Sequence, residues 1–291
     1  MTRIVEGLAE LAGLYEAAFV DLWGCVHDGV HAHPAAVKAL QAYRAGGGRV
    51  VLVTNAPRPR ASVAAQIGRL GVPEDAWDDI ATSGDAARAG LFRGVVGRDV
   101  WFMGTDTDRA FFDPPDIEAP LGIRQVPLGE AEGIVCCGPF DPHADPEVNR
   151  PDFEGAIARG LPLLCANPDI VVDRGHAREW CAGALAQLYE AMGGRTLSFG
   201  KPHAPIYDLA RERLAALGPL PPDARILAVG DGPVTDVLGA ARAGLDCLFV
   251  SGGLAAVETG TAPGGQPDPA KLDAYVAGAG MAPRWTVGFL R

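Results

Sequence analysis

The chain has 291 residues, 48% of them hydrophobic, enough core for one large domain or two ordinary ones. A net charge of −11 with no run of Lys or Arg argues against nucleic acid or an anionic membrane as the main partner; a small anion held in a local positive pocket stays open. No stretch approaches the roughly 18 to 20 apolar residues that cross a bilayer.

The N-terminal MTRIVEGLAELAGLYEAAF is punctuated by Glu6, Glu10 and Glu16, so it reads as an amphipathic helix and not as a signal peptide, which points to a cytoplasmic protein. A strand is predicted over 18–21. A helix over 34–45 is opened by Pro34 and closed by Gly46-Gly47-Gly48, and a second strand over 49–54 and a helix over 62–70 stopped at Gly71 follow. Near the other end the pattern gives a strand at 197–199, a helix at 206–216, a strand at 225–229, a helix at 234–243 and a strand at 247–250. The strands are continuous apolar runs, VVLVT, ILAVG and CLFVS, as a parallel sheet covered on both faces requires. The middle repeats the grammar with strands at 100–103, 133–137 and 163–166. The expectation is therefore α/β: a core built from 1–84 and 196–291, with an inserted α/β domain at 85–195. A loop, TAPGGQPD, precedes a last helix over 271–277.

In an open parallel sheet, ligands collect outside the carboxyl ends of the strands. Asp21 follows the first strand, Thr54-Asn55 the second, Gly200-Lys201-Pro202 the strand at 197–199, and Gly230-Asp231-Gly232 through Asp236 the strand at 225–229. Taken singly, each has a plain reading: an Asp-Gly turn, a helix start, a solvated lysine, a capping aspartate. Lys201 nevertheless stands out, because only Lys38, Lys201 and Lys271 are lysines against 22 arginines. Together the groups can break a phosphate ester. Carboxylates hold Mg²⁺, a lysine and a hydroxyl/amide pair orient phosphoryl oxygens, and one carboxylate is the nucleophile.

These segments resemble the haloacid dehalogenase superfamily, and within it the class IIA phosphatases. Asp21-Leu22-Trp23-Gly24 resembles the first motif, Val53-Thr54-Asn55 the second, Gly200-Lys201-Pro202 the third and Gly230-Asp231-Gly232 through Asp236 the fourth. Thr82-Ser83-Gly84, Ala166-Asn167-Pro168-Asp169 and Ala182-Gly183-Ala184 look like landmarks of that class. The resemblance implies a Rossmann-like core with a large α/β cap, Mg²⁺, and phosphomonoester hydrolysis of a small phosphorylated metabolite, such as a sugar or nucleotide-type ester, through an aspartyl-phosphate on Asp21. By position, Asp21, the backbone carbonyl of Trp23 and Asp231 would hold the metal, with Asp236 a ligand or its support. Thr54, Asn55 and Lys201 would hold the phosphate, and Asn167 and Asp169 would lie in the cap loop that faces substrate in the family.

The departure is Trp23, where the family usually has the aspartate that protonates the leaving oxygen. Indole offers only a donor N–H of negligible acidity. One reading is a phosphatase whose leaving group needs little protonation, or in which His27 or Asp28 substitutes. A second is a phosphometabolite-binding or regulatory protein on the same scaffold, and a third is a dehalogenase-type hydrolase. His27, His31 and His33 read as a polar loop, and the six cysteines, without CxxC spacing, as reduced core thiols. Arg174 and His176 are candidates for reading the rest of the substrate. A homodimer formed through the cap is one arrangement the sequence allows.

Overall fold

The computed structural model describes every residue except Met1, Asp116, Gly175 and His176, and only the backbone of Asp173 and Arg174. His176 and the side chain of Arg174 therefore lie outside the described residues. The strands in chain order are β1 (Arg3–Ile4), β2 (Ala17–Val20), β3 (Arg49–Thr54), β4 (Asp79–Thr82), β5 (Asp99–Met103), β6 (Arg124–Gln125), β7 (Gly133–Cys136), β8 (Pro162–Cys165), β9 (Val171–Arg174), β10 (Ala177–Trp180), β11 (Arg195–Ser198), β12 (Ile226–Gly230), β13 (Asp246–Val250) and β14 (Trp285–Val287). They divide into two compact units. The first comprises Met1–Thr54, Ala64–Ala81 and Lys201–Arg291; the second comprises Asn55–Val63 and Thr82–Gly200.

The first unit is a Rossmann-like sheet of seven strands in the order β1-β14-β13-β12-β2-β3-β4. The pairs from β1 through β14, β13, β12 and β2 to β3 all run parallel. Side chains alternate across a strand, so Ala17 and Phe19 of β2, Val51 and Val53 of β3 and Ile226 and Ala228 of β12 share one core layer with Ile206, Tyr207, Ala210 and Leu214. Ala18, Val20, Val50 and Leu52, on the opposite face, are buried as well. Burial on both faces is why these strands read as unbroken apolar runs. The helix Pro34–Ala45 starts on its proline and ends at Gly46, while Ala204–Ala216 carries Pro205 in its first turn.

The second unit has its own five-stranded parallel sheet, β11-β8-β7-β5-β6, and an antiparallel pair, β9 with β10. Its sheet also separates two cores. Ile134 and Cys136 of β7 join Phe153, Leu185 and Tyr189, whereas Val135 and Cys137 join Leu91, Phe92 and Phe111. The period of two thus places successive residues of one strand in different layers.

Two expectations are corrected. The N-terminus forms no amphipathic helix. Arg3–Ile4 pairs with Trp285–Thr286 at the edge of the first sheet, and only a single 3₁₀ turn, Leu8–Glu10, follows; Gly7 and Gly13 deny a longer helix its interior. The strand before Gly200-Lys201-Pro202, assigned by sequence to the core, is β11, which pairs with β8 in the second sheet. Lys201 therefore follows a strand of the other unit and begins the returning segment of the first.

Candidate active site

Asp21 is the first residue past β2, and its N–H donates to the Val229 carbonyl of the adjacent β12 at 2.8 Å, which ties the end of one central strand to the next. The Lys201 ammonium lies between two carboxylates, 2.6 Å from Asp21 Oδ1 and 2.7 Å from Asp236 Oδ1. All three residues are buried; Lys201 is only 3% exposed. The second Asp236 oxygen accepts from the Gly232 N–H at 3.1 Å and from the Thr235 hydroxyl at 3.3 Å. This loop is shaped by a wide π-type turn, Pro233–Val237, that runs on into the helix Leu238–Ala243. Such turns recur where a side chain must be re-aimed.

Asp231, also buried, accepts from the Leu254 N–H at 3.0 Å. The backbone passes so close to its carboxylate that only glycine fits at position 24, which has φ +72°; a Cβ there would coincide with the Asp231 oxygens. Thr54, at the end of β3, is buried in the same unit.

Ligand atoms of Asp21, Cys25 and Asp231 all lie within 4.8 Å of one another, the one group of three or more His, Cys, Asp or Glu so placed among the described residues. Asp21 and Asp236 flank the one ammonium, and a third carboxylate, Asp231, lies beside Asp21 in the same buried place. Burial pushes the Asp21 carboxyl well above its ordinary range; Asp236 pushes the same way, Lys201 opposes, and Asp231 adds to the rise. An ion pair with lysine would by itself lower it. Desolvation is the largest cause of the rise, and the neighbouring carboxylates add to it; with three carboxylates to one ammonium, the composition of the pocket suits a further cation. Oxygen donors from Asp21 and Asp231 are the chemistry Mg²⁺ takes. Asp236 stands outside that group, as the second counter-ion of Lys201.

Trp23 is half-buried and packs on its own loop, with its ring edge-on to His27 at 5.0 Å between centroids and against Gly29. His27 is buried, and its Nδ1 accepts from the Gly29 N–H at 3.0 Å. Burial first, and then His33, lower its pKa to about 4, so the ring is neutral near pH 7. Asp28 is exposed; its Oδ1 accepts from the N–H groups of Val30 and His31 at 2.8 and 2.7 Å, and the His31 bond in particular holds the carboxyl below its usual range. Neither residue carries a proton suited to a leaving group at neutral pH.

Asn55, Asn167 and Asp169 come together in the second unit. The Asn55 amide donates to Asp169 Oδ1 at 2.8 Å, and the Asp169 N–H donates to Asn167 Oδ1 at 3.0 Å. Gly183 seats this loop, because a Cβ there would strike the Pro168 and Asp169 carbonyls. In the same unit Thr82 caps the helix Ser83–Phe92 by accepting from the Asp85 N–H at 2.8 Å, and the Gly84 N–H donates to the Ala56 carbonyl at 3.0 Å. Sequence reasoning placed Cys25 among the core thiols. The signal that it belongs with the carboxylates is its place four residues after Asp21, in a turn closed by the Val26 N–H on the Leu22 carbonyl at 2.8 Å.

Residues 18–118 match the model of a family described as haloacid dehalogenase-like hydrolase, and residues 198–274 a second model of HAD-like hydrolases. No curated protein sequence is matched by the chain. A solved hydrolase of the haloacid dehalogenase-like family from Brucella suis is 41% identical, covering 99% of this chain and 100% of that one, with a TM-score of 0.86. A structure from Cytophaga hutchinsonii described as a possible sugar phosphatase is 22% identical over the whole of both chains, with a TM-score of 0.77. A glycerol phosphate phosphatase from Mycobacterium tuberculosis in complex with magnesium is 26% identical, covering 84% of this chain and 70% of that one, with a TM-score of 0.63. Parallel sheet, inserted unit, strand-end carboxylates and this likeness across its full length agree: the chain belongs to the haloacid dehalogenase-like hydrolase family.

Proposed function

We propose that the chain is a magnesium-dependent phosphomonoester hydrolase acting on a small phosphorylated metabolite. The observation that carries this is the buried Asp21–Lys201–Asp236 chain beside Asp231, three carboxylates to one ammonium. Asp21 and Asp231, with the Trp23 backbone carbonyl, would hold the magnesium, which supplies neutralisation of phosphoryl charge when bound. Asp236 fixes Lys201, and Lys201 and Thr54 steady the phosphoryl oxygens. An Asp21 oxygen attacks phosphorus, and the bond to the ester oxygen breaks with its electron pair leaving on that oxygen. Water then attacks the phosphorus of the aspartyl-phosphate, releasing phosphate and restoring the carboxylate. Asn55, Asn167 and Asp169 are assigned to substrate binding.

Because Trp23 offers no acid and His27 and Asp28 are poor proton donors near pH 7, the leaving oxygen takes its proton from solvent. Activated esters should therefore turn over much faster than alkyl esters. The same observation favours a second reading, a protein that binds a phosphorylated metabolite without hydrolysing it. Halide displacement fits less well, since a carboxylate cluster that calls for a cation gives a departing halide no stabilisation.

The experiment is phosphate release from 4-nitrophenyl phosphate with magnesium or with chelator, in native protein and in Asp21→Asn. Magnesium-dependent release that the substitution abolishes is expected. Equal rates in chelator and magnesium overturn the reading, and tight ligand binding with no release by native protein moves the assignment to the binding role.

A further inference from the structure

The Cys25 thiol is 1% exposed, and no hydrogen bond to its sulfur is found among the described residues. A buried core cysteine ordinarily lies among apolar side chains. This one has its Sγ within 4.8 Å of carboxylate oxygens of both Asp21 and Asp231. The turn over residues 22–26 and the left-handed Gly24 direct it there: the Val26 and His27 N–H groups both donate to the Leu22 carbonyl, at 2.8 and 3.1 Å, which folds residue 25 back over the end of β2.

We propose that Cys25 is a latent metal ligand, completing with Asp21 and Asp231 a mixed sulfur–oxygen donor set that takes a thiophilic divalent cation, such as zinc, cadmium or cobalt(II), in place of magnesium. The inference rests on the reading of Asp21 and Asp231 as metal ligands. Bond lengths near 2.3 Å to sulfur and 2.0–2.2 Å to oxygen put tetrahedral sulfur and oxygen donors about 3.6 Å apart, so small side-chain rotations bring the three atoms onto one ion. Magnesium is a hard ion that selects oxygen, and it leaves the thiol a bystander. A thiophilic ion takes the sulfur as thiolate, and the proton it displaces passes to solvent. The pocket thus distinguishes two classes of cation by whether Cys25 joins.

The test is titration of metal-free protein with cobalt(II), followed by its sulfur-to-cobalt charge-transfer absorption, and with cadmium, followed by calorimetry. Native protein should bind one ion of each at this site and show the charge-transfer band. Cys25→Ser should lose the band and weaken cadmium by about 10- to 100-fold relative to its effect on magnesium, and Asp231→Asn should lose both metals. Cobalt bound with no sulfur band in native protein, or a band that survives in Cys25→Ser, overturns the role of Cys25 while leaving the oxygen site standing. Failure of native protein to bind magnesium as well as cobalt overturns both.

Discussion

Replacing Lys201 by methionine keeps most of the side-chain volume and removes the charge. Its ammonium sits 2.6 Å from Asp21 and 2.7 Å from Asp236 with all three side chains buried, so the variant leaves two carboxylates without their shared counter-ion. Breaking a buried pair by removing one partner costs about 3–5 kcal/mol, and here one cation serves two anions, which argues for the upper end. The Asp21 carboxyl, already held above its ordinary range by burial, rises further when the ammonium goes. A carboxyl raised in the folded state binds its proton more readily there than in the unfolded chain. Its stabilising share is complete below the unfolded value of about 3.9 and is lost as pH climbs through the folded one. The deficit of Lys201→Met against native protein should therefore shrink on acidification, and adding Asp236→Asn should recover part of it. Urea denaturation in chelator at about pH 7.5 and about pH 5.5 measures this. A loss under about 1 kcal/mol at the higher pH, or a deficit that grows on acidification, would refute the shared-counter-ion argument.

Gly24→Ala puts a Cβ onto the Asp231 carboxylate at a φ of +72°; it should cost about 1–2 kcal/mol in backbone strain alone and abolish magnesium binding measured by calorimetry. His27, held neutral with a pKa of about 4 against 6.5, gives stability that is complete above about pH 6.5 and lost on the way down to about pH 4, up to about 3 kcal/mol. Of the groups that bear on it, His33 pushes the pKa the same way and Asp28 opposes. His27→Gln should accordingly show a flatter acid limb in denaturation, and an unchanged limb counts against burial of the neutral ring. Trp23→Asp should raise turnover of alkyl phosphates by about 10²- to 10⁴-fold and of aryl phosphates little, and an equal effect on both esters rejects the missing-acid argument.

The central strands were legible because both faces are buried: Arg49–Thr54 and Ile226–Gly230 are continuous apolar runs with loop-forming residues at their ends. The strands that escaped sequence reading are short or depend on a distant partner. Trp285–Val287 has three residues, and Arg3–Ile4 has meaning only against it. The assignment of β11 failed for a related reason, since a four-residue strand carries no mark of which sheet it joins. At the site, the carboxylates and the lysine could be named from strand ends. The pairing of Asp236 with Lys201 could not, because it depends on how a wide turn aims one side chain. Cys25 was hidden because a cysteine between Gly24 and Val26 looks the same in a core as beside a metal site.

The order of the first sheet also constrains how the polypeptide can be assembled. Strand β12 lies between β13 and β2, with Ile226 in register beside Ala17, so the middle of that sheet cannot close until the chain has been made past Gly230, after the whole of the inserted unit. The inserted unit has its strands and both of its cores almost entirely within Thr82–Gly200, and its nearer contacts can form sooner. During synthesis, the edge of β2 that β12 will cover is therefore an exposed apolar edge awaiting a late partner, and this interval is where chaperone dependence and aggregation should concentrate.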